Sequence, residues 1–245
     1  MSPPLLAIEA VSKRFGGVLA LDRVSFEVAA GMVCGLIGPN GSGKTTLLNI
    51  VNGVFPPDGG RIALDGAPIL GRRASRLAAA GLTRTFQNAR VFETLTVAQN
   101  LMVPLLHAGR GIRERASRRA DELLGLVGLT AHAGRPASEL SGGQQRLLEF
   151  ARALITEPRL VLMDEPFAGV HPEIKSLLIR RTRETVESRG TSFLIVSHEV
   201  PDLVAMSGFM LCLVEGKPVA AGLPALVVED ERVIEGYLGR PRAPA

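Results

Sequence analysis

Tryptophan is absent from this 245-residue sequence, and tyrosine occurs once, as Tyr237; aromatics make up only 4%. That excludes a surface of flat aromatic platforms for stacking sugars or successive bases. Long apolar runs are also lacking. None reaches the roughly 18 residues needed to span a bilayer, and the nearest, over 24–37, is interrupted by Glu27 and Gly31. The opening, MSPPLLAIEAVSKRF, has neither the basic start nor the long apolar segment of a secretory signal. Cys34 and Cys212, the only cysteines, stand far apart with no CxxC and no metal-ligand spacing. They are expected to be reduced core thiols of a cytoplasmic protein.

Lysine is scarce as well: 4 of the 28 basic residues, against 24 arginines, in a chain of net charge +4. The densest basic stretch is RGIRERASRR, 110–119. Ala116, Ala120, Leu123, Leu124 and Val127 form an apolar stripe at helical spacing beside it, so the arginines read as the solvated face of a helix. No aromatic or motif supports a nucleic-acid surface, and no nucleic-acid partner is expected. With 46% apolar and 21% charged residues, the composition is that of an ordinary globular protein, with one large domain or two small ones.

Short apolar runs alternate with helical patterns, which predicts an α/β fold. Strands are expected over 5–10, 24–28, 32–37, 61–64, 160–163, 193–197 and 210–214, and helices over 44–52, 113–126, 144–156, 173–188 and 232–238. The stretch 89–157 is poor in strand signals and reads as a helical insertion between two sheet-containing parts, about 5–88 and 158–241. No internal repeat is visible.

The strongest signal is GPNGSGKT, Gly38 to Thr45, between the apolar run MVCGLI and the helical TTLLNIVN. This is the GxxxxGK[ST] pattern in its strand–loop–helix context. Glycines let consecutive backbone N–H groups turn inward on phosphate oxygens, and the helix start adds partial positive charge. Gly38, Pro39, Asn40, Gly41, Ser42, Gly43, Lys44, Thr45 and Thr46 are thus candidate nucleotide-binding residues. Lys44 can reach the β- and γ-phosphates, and the Thr45 hydroxyl can ligate Mg²⁺.

LVLMDEP, Leu160 to Pro166, is an apolar strand delivering two acids to its carboxyl end. Asp164 suits a Mg²⁺ ligand acting through the metal's water shell, and Glu165 suits a base for the attacking water. LSGGQQR, Leu140 to Arg146, puts Ser141, Gly142 and Gly143 at the start of a well-patterned helix, a second anion-binding terminus. A nucleotide has two ends to hold, so one chain can supply the phosphate loop and another the SGG loop.

With these motifs the chain resembles the ATP-binding subunit of ABC transporters, from about Leu5 to Arg240. The resemblance implies a P-loop NTPase (RecA-like) core, a small antiparallel β subdomain and an inserted α-helical subdomain, with ATP and Mg²⁺ as cofactors. It also implies that Phe15, in KRFGG, stacks on adenine; that Gln87, in TRTFQNARVF, couples the Mg²⁺ and lytic-water site to a membrane partner; and that His198, in IVSHEV, contacts the γ-phosphate. Phe86, Phe92, Leu95 and Val97 flank Gln87, and several of them are expected to line a groove for a helix of that partner. One position departs from the family pattern: the loop after DEP reads FAGVHP, with His171 where Asp or Asn usually stands.

Within the family, KRFGGVLALDRVSFEV, GPNGSGKTTLLNIVNG, TRTFQNARVFETLTVAQNL and the tail VIEGYLG are similar to the branched-chain amino-acid importer group. That group implies transmembrane permease subunits, a second ATP-binding subunit in a homo- or heterodimer, a periplasmic or extracellular solute-binding protein, and a peripheral place on the cytoplasmic face of the inner membrane. The tail and EPFAGV are also similar to the ATPase of lipopolysaccharide export, which remains an alternative. A soluble ABC ATPase working on nucleic acid or ribosomes is a third, although the paired ATPase units, coiled coil or zinc cysteines usual there are missing.

Overall fold

The computed structural model describes residues 3–85, 91–106 and 110–238, with side chains in the last stretch from Ala116 onward. In chain order the strands and helices are β1 (Leu6–Phe15), β2 (Val18–Val28), β3 (Val33–Ile37), α1 (Lys44–Val51), β4 (Gly59–Leu64), β5 (Ala67–Pro68), α2 (Ala74–Ala79) and β6 (Leu82–Arg84). Then come α3 (Val97–Met102), α4 (Arg110–Leu126), α5 (Gly142–Leu154), β7 (Leu160–Asp164), α6 (Pro172–Arg189), β8 (Ser192–Val196), α7 (Val200–Met206), β9 (Phe209–Val214), β10 (Lys217–Gly222), α8 (Pro224–Glu229) and α9 (Glu231–Val233). A π-helical turn, Ile234–Leu238, follows α9.

Two sheets result. A six-stranded sheet runs β10-β9-β3-β8-β7-β6, parallel except for the β9–β10 hairpin. A four-stranded antiparallel sheet runs β2-β1-β4-β5. Strands β3, β7 and β8 are buried along their whole length, which is why they read as unbroken apolar runs. Their alternate residues serve two cores. Leu160, Leu162, Leu194 and Val196 pack toward the small sheet and α1, while Val161, Met163, Phe193 and Ile195 pack toward the helices.

Between β6 and β7 the described residues form helical segments and no strand. Here the stripe Ala116, Ala120, Leu123, Leu124 and Val127 on α4 is buried, as its spacing predicts. Among the described residues no helix is long and apolar enough to cross a membrane. Burial pushes the Cys34 thiol up to about 12 and Cys212 up to about 11, so both are core thiols.

Several elements escape the sequence patterns: β5, β6 and β10, and helices α2, α3, α7 and α8. All are short, with α7 the longest helix among them at seven residues, and so below the window over which periodicity speaks. β10 is an edge strand that leaves β9 through Glu215 and Gly216, both at positive φ.

Candidate functional site

The strands β3, β7 and β8 all end at one edge of the large sheet, where an α/β sheet presents its ligand crevice. A cavity of about 470 Å³ opens there. It is lined by 40–46, Asp164, Glu165, Val196, His198, Glu215 and the β2 residues Val18, Leu19 and Ala20.

The loop 38–43 takes its shape from backbone space. Gly38 has φ 145°, and a Cβ there would stand 2.0 Å from the Leu213 carbonyl oxygen. Gly43 has φ 100°, and a Cβ there would stand 2.5 Å from the Ala20 carbonyl oxygen. Only glycine fits either position. Gly43 is the N-cap of α1 and no side chain caps that helix, so its first-turn amides are available to an anion. The Ser42 hydroxyl is buried without a hydrogen-bond partner. Lys44 is almost wholly buried, and its Nζ donates to the carbonyls of Gly38 (2.7 Å) and Pro39 (2.8 Å). Burial lowers its pKa, and the nearby Glu165 and Asp164 carboxylates work against that shift. The loop thus sets an ammonium beside the uncapped start of a helix, a fit for polyphosphate.

Asp164 ends β7 and Glu165 follows it at φ 49°, a left-handed conformation unusual outside glycine. The Glu165 amide donates to the Val196 carbonyl (2.9 Å), which fixes the turn. The Glu165 Oε2 accepts from the His198 backbone N–H at 3.1 Å, and the His198 Nε2 lies 3.3 Å from Oε1. The latter contact lacks hydrogen-bond geometry, and buried Oε1 has no hydrogen-bond partner. Burial raises the Glu165 pKa, while the His198 amide and ring and the Lys44 ammonium pull it down. A carboxyl raised by burial at the mouth of a phosphate cavity suits proton transfer.

Two expected site elements do not line the cavity. Ser141 caps α5: its Oγ accepts from the Gln144 amide (3.3 Å), and its own amide donates to Gln144 Oε1 (2.9 Å), a reciprocal capping box. Ser141, Gly142 and Gly143 do not line the cavity. Phe15, at the turn of the β1–β2 hairpin, is half exposed and packs edge-on against Phe55 at 5.3 Å; its strand partner Val18 lines the cavity, but Phe15 does not. Gln87, together with Phe86, falls outside the described residues. Of the other groove residues, Phe92 is exposed and Leu95 half-buried, but Val97 is fully buried and belongs to the helical core. Val97 begins a helix that faces α4 and α5 with its apolar side, so its place is inside.

The sequence reading missed two contacts. Arg84 bonds Asp164 at 3.0 Å and Asn49 of α1 at 2.6 Å. Tyr237 places its hydroxyl 3.3 Å from the His198 Nδ1. Arg84 sits inside the quoted stretch TRTFQ, and Tyr237 inside VIEGYLG, but neither string indicates a partner.

The ABC transporter family matches residues 21–168, more than half of the chain. The chain belongs to the ABC transporter family. Along 98% of its length it is 36% identical to the high-affinity branched-chain amino acid transport ATP-binding protein LivG of Salmonella typhimurium, covering 99% of that protein. It is 35% identical, at the same coverage of both chains, to BraF of Pseudomonas aeruginosa, which carries the same description. Among solved structures, the ADP conformation of MJ1267, an ATP-binding cassette of an ABC transporter, superposes with TM-score 0.88 at 32% identity, over 98% of this chain and 100% of that one. This ABC protein has the P-loop NTPase fold and is an ATPase, an energy-coupling ATP-binding subunit. Neither the export nor the soluble reading gains support from these relatives.

Proposed function

We propose that this ABC ATPase energises the import of branched-chain amino acids or a similar small polar solute. The observation that carries this reading is the end-to-end likeness to LivG and BraF. The cavity supplies the motor. Residues 38–46 cradle the phosphates, with Lys44 reaching the β- and γ-phosphates. Thr45, Gln87 and, through the metal's water shell, Asp164 would hold Mg²⁺, which when bound would neutralise phosphate charge. Glu165 takes the proton of the attacking water, His198 contacts the γ-phosphate and Phe15 stacks on adenine. The uncapped start of α1, the unpartnered Ser42 hydroxyl and the buried Glu165 support these roles.

A second ATP-binding chain, a copy or a paralogue, brings its own Ser141, Gly142 and Gly143 to complete the site. That those residues do not line this chain's cavity supports that arrangement, and His171 at the start of α6 lies in the loop where a paralogous partner would differ. In this reading the core and β subdomain take about 5–88 and 158–241, and 89–157 is the helical insertion. The chain sits peripherally on the cytoplasmic face of the inner membrane, bound to transmembrane permease subunits and served by a periplasmic or extracellular solute-binding protein.

The test is uptake of radiolabelled leucine, isoleucine and valine by cells from which this chain has been deleted. Loss of uptake, restored by the wild-type chain and not by Lys44→Ala, is the expected result. Unchanged uptake of all three after deletion would overturn the cargo.

A further inference from the structure

The carboxy-terminal turn reaches into the catalytic edge. Val233 is fully buried, and Gly236 lies so close to β9 that a Cβ there would meet Val214 Cγ2 at 3.2 Å. Asp230 caps α9 by accepting from the Arg232 amide at 2.9 Å. The turn is therefore fixed on the sheet, and it holds Tyr237, the chain's single tyrosine, half-buried beside His198. The two rings are 6.4 Å apart and tilted by 53°, with Tyr237 Oη 3.3 Å from His198 Nδ1.

The other edge of the imidazole faces the Glu165 carboxylate. His198 Nε2 is 3.3 Å from Glu165 Oε1, a buried carboxylate oxygen with no hydrogen-bond partner. An ionised carboxylate offers lone pairs and no proton, and so does a phosphate oxygen. A bare Nε2 lone pair aimed at either is repelled, whereas an Nε2–H is attracted. A neutral imidazole has one N–H, so a proton on Nε2 leaves Nδ1 as an acceptor. Among the described residues the neighbour placed to donate to it is the phenol. Burial raises the Tyr237 pKa, with Glu165 adding to the shift, so the hydroxyl keeps its proton and can donate.

We propose that Tyr237 is a positioning residue for His198: its hydroxyl donates to Nδ1 and holds the neutral imidazole in the tautomer that carries its proton on Nε2, facing Glu165 and the nucleotide cavity. In the structure Nε2 stands 3.3 Å from Glu165 Oε1. With nucleotide present it is the donor for the γ-phosphate, so this inference rests on the role given to His198 above. The tail thereby sets both the orientation and the proton position of a group on the far side of the ring.

The test combines spectroscopy and kinetics on the full chain. With ¹⁵N-labelled histidine, the His198 signals, assigned by their loss in His198→Ala, should show a protonated Nε2 and an unprotonated Nδ1 in the wild type. Tyr237→Phe keeps the ring and removes the donor. It should shift His198 toward a mixture of tautomers and lower kcat for ATP by about 2- to 10-fold, the scale of one lost neutral hydrogen bond, with KM for ATP little changed. A wild-type His198 protonated on Nδ1 overturns the proposal, whether or not the variant folds. If His198→Ala is impaired but Tyr237→Phe matches wild type in tautomer and kcat, the positioning role fails alone. Normal hydrolysis by His198→Ala would instead remove the role of His198 on which it rests.

Discussion

Arg84 and Asp164 form a salt bridge at the carboxyl ends of the adjacent parallel strands β6 and β7, with Nη2 3.0 Å from Oδ2 and both side chains almost wholly buried. The same guanidinium donates to Asn49 Oδ1 at 2.6 Å, so one side chain ties the edge strand, the acid of the site and helix α1 together. Removing one member of a buried pair strands the other charge. Arg84→Ala is therefore expected to destabilise the chain by about 3–5 kcal/mol. Adding Asp164→Ala should recover part of that loss, read by chemical denaturation. Additive effects of the two changes would show that the pair does not hold the strands together.

Lys44→Ala should abolish ATP hydrolysis and weaken nucleotide binding by at least about 10-fold, because a charged hydrogen bond to phosphate is worth about 1.5–3 kcal/mol. Lys44→Arg should fail too. The Lys44 ammonium fits between the carbonyls of Gly38 and Pro39, and a planar guanidinium is too large for that space. Fluorescent-nucleotide titration measures both variants; near wild-type affinity and turnover would refute the placement of the phosphates.

Glu165→Gln should bind ATP and hardly hydrolyse it, and in Mg·ATP it should elute as a dimer on gel filtration. It has a stability signature as well. Burial raises the Glu165 pKa above its ordinary 4.5, so the folded chain binds more protons than the unfolded chain between the two values. Stability then falls as pH rises through that window, and the penalty persists at neutral pH. Glu165→Gln should therefore melt above wild type at pH 7, with the difference vanishing below about pH 4.5. Identical melting at both pH values would mean that burial does not strain this carboxylate.

How much of this was legible in the sequence depends on the range of each interaction. The phosphate loop and the acids of β7 could be placed because glycine spacing and an apolar run are local signals, and the cavity gathers Lys44, Asp164, Glu165 and His198 together. Strand β6 could not be placed. It is three residues long, and what makes it a strand is its pairing with β7, 78 residues away in the register Leu82–Leu160. The Arg84 and Tyr237 contacts are likewise products of topology. Helix α3 did leave a local trace, Thr96 and Gln99 at capping-box spacing, and the structure forms that box.

Ser141→Arg should leave ATP binding by the isolated chain intact and still block hydrolysis. The Ser141 side chain is exposed at the start of α5 and contributes nothing to this chain's cavity, so its replacement leaves that cavity unaltered. The arginine would instead obstruct the face offered to a second chain's nucleotide. Equilibrium binding to the monomer together with steady-state turnover separates the two effects, and lost monomer binding would contradict the two-chain site.

Coupling to a membrane subunit supplies the last prediction. Phe92 is 48% exposed, although a phenylalanine of that size gains about 1.5–3 kcal/mol from burial. Its ring is held in place all the same: Arg152 lies over it with Cζ 5.5 Å from the centroid, and its backbone N–H donates to Asn100 Oδ1 at 2.8 Å. A fixed, exposed aromatic beside the half-buried Leu95 is the kind of anchor that a partner helix covers. Val97 is unsuited to the test, since it is fully buried and an aspartate there would break the helical core. Phe92→Asp changes only an exposed side chain, so folding and the basal ATPase of the lone chain should persist. Co-purification with the permease subunits and solute uptake should both fall. Leu95→Asp should show the same split with some loss of stability, because that side chain is partly covered already. If Phe92→Asp folds normally and still transports at the wild-type rate, the docking surface lies elsewhere on the helical segment, and the exposure of Phe92 has no part in coupling.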